Sequence, residues 1–199
     1  MNFTHAITKE AILKMPREMF PGQIVVVDTE RKLDDALEQL SSLTEIGFDT
    51  ETRPSFSKKT HYNMSLIQLS GNDVCFLIRL NKLKKIPPSL EKFLKNKEIK
   101  KIGLSLRDDF HGLHNLTKIS PGNFIDLQQY VVQFDIADMS LQKIYAILFG
   151  KKISKRERLS NWDADILTEA QQRYAALDAW SCLRIYQFLE LQKQSFYHH

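Results

Sequence analysis

Apolar residues recur along this chain with two different periods, and the alternation between those periods marks out its elements. Residues 24–27, led by Pro21-Gly22, are an uninterrupted β-branched run and predict a short strand. Leu33, Ala36, Leu37, Leu40 and Leu43 then fall three or four apart, the spacing of one buried helical face, with Thr29 placed to cap that helix. Residues 45–51 read as a strand, followed by a loop over residues 53–63. Residues 64–69 and 74–78 flank Gly71-Asn72, which predicts an antiparallel hairpin. Beyond Pro87-Pro88, Leu90, Phe93 and Leu94 predict a helix, residues 99–103 a strand, and a further helix is expected near Ser105. From about residue 124 the pattern is mostly helical, with one short strand at Phe124-Ile125. It ends in a long amphipathic helix from Thr168 to about Gln192, opened by a capping box of Thr168 and Gln171.

A three-stranded meander followed by alternating helices and strands defines an α/β fold with a mixed sheet. At 199 residues and 43% hydrophobic content the chain can build one core, so a single domain is expected. Residues 1–23 show no clean period and read as an N-terminal arm, and residues 193–199 as a tail in which His198 and His199 carry no role. Cys75 and Cys182 are far apart without metal-ligand spacing, which argues against a disulfide framework or structural zinc. No stretch suits a signal peptide or a membrane span, so a reducing cytoplasm and no membrane association are the expectation. A formal charge of +4 barely favours a polyanionic partner.

The distribution of acids says more. Side chains alternate along a strand, so Asp49 and Glu51 leave one face while Ile46, Phe48 and Thr50 leave the other. Two adjacent carboxylates on a central strand repel each other unless a cation neutralises them. Leu106, Phe110 and Leu113 mark the packed face of their helix, which puts Asp109 on its border and turns Asp108 away. Asp108 then reads as a first-turn acid, with Ser105 as cap. On the last helix Tyr174 and Asp178 are four apart and share a face. Each motif alone more often reflects a solvated strand end, a helix cap or a surface pair, and only their combination indicates a site.

Taken together, residues 48–51 (FDTE), 100–109 (KKIGLSLRDD) and 174–179 (YAALDA) resemble the three motifs of the DEDD superfamily of 3′-5′ exonucleases, in its tyrosine-containing branch. Ribonuclease D and the Werner-type exonuclease domain belong to that branch. The likeness is closer to the Werner-type domain, through residues 66–69 (LIQL) and 159–162 (LSNW), and it spans roughly residues 24–190. The resemblance implies a ribonuclease H-like fold over residues 24–192, with Asp49, Glu51, Asp109 and Asp178 as metal ligands and Tyr174 orienting the attacking water. It implies two divalent cations, Mg²⁺ or Mn²⁺, and a nucleic acid with a free 3′ end, DNA or RNA, as substrate. A histidine-type member would carry His five residues before the last Asp, where this chain has Arg173. A non-catalytic nucleic-acid-binding scaffold of the same fold is the alternative.

Lys151, Lys152, Lys155, Arg156 and Arg158 form one basic run just before Trp162. They are candidates for tracking a phosphate backbone, as Trp162 is for stacking on a base or packing in the core. The pair Lys58-Lys59 and residues 82–85 are weaker candidates. His111 and His114 share a helix with Asp109, but a helical HxxH with no third soft ligand is usually surface chemistry.

Overall fold

A computed structural model describes residues 3–57 and 59–197, with side chains described through residue 194; Lys58, His198 and His199 lie outside that range. Six strands form one mixed sheet in the order β1-β4-β3-β2-β5-β6. They are β1 (Gln23–Val27), β2 (Glu45–Thr52), β3 (Met64–Ser70), β4 (Val74–Arg79), β5 (Lys100–Gly103) and β6 (Phe124–Asp126). The meander β2-β3-β4 is antiparallel, while β1 joins β4, β5 joins β2 and β6 joins β5 in parallel. These are the strands the apolar runs predict, and β3, fully buried, lies within the sheet where both its faces are covered.

On one face of the sheet lie α2 (Glu30–Ser41), α4 (Pro88–Lys95) and α5 (Leu106–His114). Thr29 caps α2 through its hydroxyl, and Leu33, Ala36, Leu37 and Leu40 are its buried stripe, as the spacing requires. The other face carries α7 (Leu141–Phe149) and α8 (Glu169–Tyr197). The capping box forms at the start of α8: Gln171 N–H donates to the Thr168 hydroxyl over 3.2 Å, and Thr168 N–H donates to the Gln171 side chain over 3.0 Å. The expectation of an amphipathic last helix does not hold through its middle, where residues 174–183 are all buried. Sheet covers one side of this stretch and α7 with its flanking segments another, so no polar stripe is required.

Ser105 does not cap α5 with its side chain. It sits at φ 61° in the left-handed region, and the Asp126 carboxylate accepts the Ser105 and Leu106 N–H groups, each over 2.9 Å. A carboxylate from β6 takes the place expected for the local serine, and it satisfies the same orphan donors with a full negative charge.

The first residues form α1 (Lys9–Leu13) and then run along the loop that follows α7. Glu18 N–H donates to Lys152 O and Lys152 N–H to Pro16 O, each over 2.9 Å. The Glu18 side chain, 8% exposed, accepts from the Tyr145 hydroxyl over 2.7 Å and faces Lys151 and Arg184 at 3.1 and 3.2 Å. The arm is thus docked, among its described residues, by backbone and ion-pair contacts. Two short helices, α3 (Leu80–Leu83) and α6 (Leu127–Tyr130), and a 3₁₀ turn over Val131–Phe134 complete the chain. Among the described residues no helix is long and apolar enough to cross a membrane.

The closest approach between layers falls at Gly47 on β2. A Cβ there would lie 1.9 Å from the Ala179 carbonyl oxygen of α8. Substituting Gly47→Ala forces helix and sheet apart, and we expect a loss of about 1–3 kcal/mol in urea unfolding. Gly112→Ala in α5, where the added methyl meets only the flexible end of Met64 at 3.2 Å, should be neutral or stabilising in the same measurement.

Candidate active site

Strand β2 and helix α8 bring three acids together. Asp49 and Glu51 leave β2 on the face that α8 covers, and Asp178 descends from α8 onto them. Carboxylate oxygens of the three lie within 4.8 Å of one another, the one such grouping of potential metal ligands among the described residues. Glu51 is 9% exposed and Asp178 8%. The β2-β3 register shifts between Glu51 and Thr52, a local irregularity of the kind that re-aims side chains beside active sites.

Asp109 stands next to this group and not within it. Its carboxylate accepts a hydrogen bond from the Thr50 hydroxyl, which leaves β2 on the face opposite Asp49 and Glu51. Three of the four expected ligands thus meet within 4.8 Å, and Asp109 lies beside them, near enough for its charge to act on Asp49 and Glu51. Asp109 is half-buried and Asp108 exposed, as the helical periodicity predicts.

Burial and mutual repulsion lift these carboxyls out of the ordinary acid range. Desolvation is the leading cause for Asp49, followed by the charges of Asp178, Asp109 and Glu51, and it is held well above its usual value. Glu51 is pushed to about 9 by desolvation and by Asp178 and Asp109. Asp178 reaches about 7 through burial, with the Tyr174 hydroxyl and Lys155 pulling the other way. Asp109 reaches about 6 by burial, restrained by Thr50. Tyr174, desolvated beside Asp178 and Glu51, keeps its phenolic proton far above neutral pH. Asp178 Oδ1 is buried without a hydrogen-bond partner. Carboxylates that repel one another, one of them with a buried oxygen that has no donor, fit a hard divalent cation, which takes oxygen ligands and cancels their charge.

Above the acids lies a cavity of about 280 Å³ lined by Asp49, Tyr174 and Asp178 together with Lys155 and Arg158. The basic run is therefore divided by the fold. Lys155 and Arg158 face the cavity and lower the carboxyls of Asp178 and Glu51, respectively, by their charge. Lys151 pairs with Glu18, and Lys152 donates to the Leu13 carbonyl, so both hold the N-terminal arm. Arg156, 88% exposed, lines a separate groove of about 600 Å³ beside Tyr174. On that rim Arg17, Arg156 and Arg173 lie among Glu18, Glu157 and Glu169.

Of its two expected roles, Trp162 takes the one in the core. It is fully buried, its ring 5.9 Å from that of Tyr174, so it props the tyrosine and has no face free for a base. The residues around it are pinned by Gln171, whose amide donates to Ser160 Oγ over 2.9 Å and Asn161 O over 3.1 Å, and by a 2.7 Å hydrogen bond from Ser65 to Asp163. His111 and His114 are exposed and line a hollow with Arg107 and Asp108, apart from the three acids. Cys75 and Cys182 are free and buried. Thr50 and Asp126, which steady Asp109 and the helix that bears it, carried no signal in sequence; only the pairing of β5 with β6 reveals the second.

A mixed sheet of this order with carboxylates delivered by its central strand and a buried helix is a ribonuclease H-like fold of the exonuclease kind. The chain belongs to the 3′-5′ exonuclease family, whose sequence profile matches residues 24–194. It is 30% identical over 201 residues to the bifunctional 3′-5′ exonuclease/ATP-dependent helicase WRN of Mus musculus, covering 92% of this chain and 14% of that protein. It is 28% identical over 178 residues to ribonuclease D of Gluconacetobacter diazotrophicus, covering 85% and 43%. The chain thus spans less than half the length of either relative. The crystal structure of the Aedes aegypti Nibbler EXO domain superposes with a TM-score of 0.78 at 25% identity, over 90% of this chain and 94% of that one.

Because the folded protein holds protons on these carboxyls that the unfolded chain releases, the metal-free protein loses stability as pH rises from about 5 to about 9. Thermal unfolding in EDTA across that range should show a falling midpoint. Asp178→Asn should raise the midpoint at pH 8 by several degrees and flatten the slope; a midpoint independent of pH in the unsubstituted protein would contradict the electrostatic account.

Proposed function

We propose that this chain is a metal-dependent 3′-5′ exonuclease that hydrolyses phosphodiester bonds at free 3′ ends of DNA or RNA and releases 5′-mononucleotides, with residues 24–192 as the catalytic unit. Asp49, Glu51, Asp109 and Asp178 hold two divalent cations, Mg²⁺ or Mn²⁺. The observation that carries this reading is that carboxylate oxygens of Asp49, Glu51 and Asp178 lie within 4.8 Å of one another, beside a tyrosine and two basic side chains. When these carboxyls are ionised, a bound cation offsets their mutual repulsion.

When bound, the cations supply Lewis acidity and neutralise charge on the reacting phosphate. Asp49 and Glu51 from the strand and Asp178 from the helix approach from different elements, so the protein sets where that charge is cancelled. Tyr174 keeps its proton and is steadied by Trp162, which suits it to hold the attacking water by a hydrogen bond without acting as a base. The water oxygen bonds to phosphorus as the bond from phosphorus to the preceding 3′ oxygen breaks. The proton that the water gives up passes through solvent to that 3′ oxygen, which becomes a hydroxyl, and the terminal nucleotide leaves with its 5′-phosphate. Lys155 and Arg158 grip the phosphate from the cavity wall. The buried free thiols suit a reducing cytoplasm.

Incubation with Mn²⁺ and 5′-labelled single-stranded, duplex and recessed-end DNA or RNA should give a stepwise ladder of shortened products. Asp49→Ala and Asp178→Asn should abolish the ladder while remaining folded by circular dichroism. Internal cuts, binding without cleavage, or full activity in either variant would overturn the assignment.

Replacing Lys155 and Arg158 with Ser should weaken nucleic-acid binding and reduce the slope of log affinity against log salt by about 0.7 for each phosphate of a single strand left without its cationic partner. The same change at Lys151 and Lys152 should leave that slope unaltered. Equal effects from the two pairs would return the whole run to one role.

A further inference from the structure

Gln68 is the most conspicuous polar residue that the mechanism above leaves idle. It is fully buried in β3, and both its amide nitrogen and its amide oxygen lack a hydrogen-bond partner. Among the described residues it is the one side chain with two such orphaned atoms. The neighbouring positions on this strand, Leu66, Ile67 and Leu69, are apolar and equally buried. An apolar side chain of the same length would fill the space without stranding a donor and an acceptor, so the amide opposes folding where it stands.

The sheet register indicates what it is for. Gln68 is the direct cross-strand partner of Asp49. Paired residues on adjacent strands leave the same face with Cβ atoms roughly 5 Å apart, within the reach of a glutamine side chain that changes rotamer. Ala175 and Ala176 of α8, fully buried in one cluster with Leu66 and Leu77, offer no hydrogen-bonding side chain, while Trp162 of the same cluster brings a buried indole N–H that also lacks a partner. On its other side Gln68 is paired with Leu77 of β4, which is also apolar. Asp49 is thus the polar side chain that the strand pairing sets beside the amide.

We propose that Gln68 is a positioning residue for Asp49: in the cation-loaded site its Nε2 donates to the Asp49 carboxylate and fixes which oxygen faces the metal. The inference rests on the metal-dependent reading given above. Residues that hold metal ligands by hydrogen bonds commonly change metal affinity or activity by about 10–100-fold when replaced. Gln68 touches neither substrate nor metal in this arrangement and acts through Asp49.

The test uses the full chain with Gln68→Met, which keeps the length of the side chain and removes the amide, and Gln68→Asn, which keeps the amide and withdraws it by one methylene. Urea unfolding in EDTA should find Gln68→Met at least as stable as the unsubstituted protein, because two orphaned atoms are gone. Calorimetric titration with Mn²⁺ should find its affinity weakened about 10–100-fold. The rate of cleavage should fall at low Mn²⁺ and recover as Mn²⁺ is raised, with KM for the oligonucleotide unchanged. If Gln68→Met does not fold, Gln68→Asn decides the matter by the same loss of Mn²⁺ affinity. Mn²⁺ affinity within twofold of the unsubstituted protein in either folded variant overturns the role of Gln68 alone. No Mn²⁺ uptake by the unsubstituted protein overturns this inference together with the metal-dependent reading.

Discussion

The contact on which this molecule depends is the seating of α8 against β2 at Gly47. A helix rests on a sheet at a distance set by the side chains between them, and here the strand contributes a hydrogen atom and the helix a backbone carbonyl. Ala175, Ala176 and Ala179 keep the same surface low on either side. Only at this separation does Asp178 reach Asp49 and Glu51, because a carboxylate on so short a stem cannot span a gap of ordinary helix-to-sheet packing. The capping box at Thr168 and Gln171 sets where the helix begins, and so which of its residues lies over the strand. Packing and chemistry share one contact.

That arrangement is electrostatically costly, and the surrounding structure answers the cost in layers. Asp109 accepts a hydrogen bond from the Thr50 hydroxyl. Lys155 and Arg158 approach from the loop after α7 and lower the carboxyls they face. The loop that carries them is held by the N-terminal arm, through Glu18 and its contacts with Lys151, Arg184 and Tyr145. Burial alone would raise the Glu18 carboxyl, but the Tyr145 hydroxyl, the Lys151 ammonium and the Met19 N–H hold it below the usual range. Glu18 therefore stays charged at neutral pH, which keeps the arm and the basic loop clamped together. A segment remote from the acids in sequence thus helps to set the positive charge that faces them.

Much of this was legible from residue order because the governing physics is local. Alternation along a strand sends Asp49 and Glu51 to one face, four-residue spacing puts Tyr174 and Asp178 on another, and the stripe from Leu33 to Leu40 defines α2. Misreadings arose where a local rule met a distant competitor. Ser105 has the right residue type to cap α5, yet Asp126 from a neighbouring strand supplies a charged acceptor and wins. The basic run looks uniform, yet Lys151 belongs to Glu18 and Lys152 to a backbone carbonyl of the arm.

Periodicity, capping residues and the order of the motifs determined by themselves the strands, the main helices, the mixed sheet and the faces on which the acids leave their elements. Those properties depend on backbone geometry over a few residues, which neighbouring side chains dictate. Tertiary structure alone decided which acids meet within ligand distance, which of five basic residues point at them, and that Gln68 is entombed beside Asp49. Distances between elements are sums of packing, charge and hydrogen bonding contributed by segments far apart in the chain, and no local pattern encodes such sums.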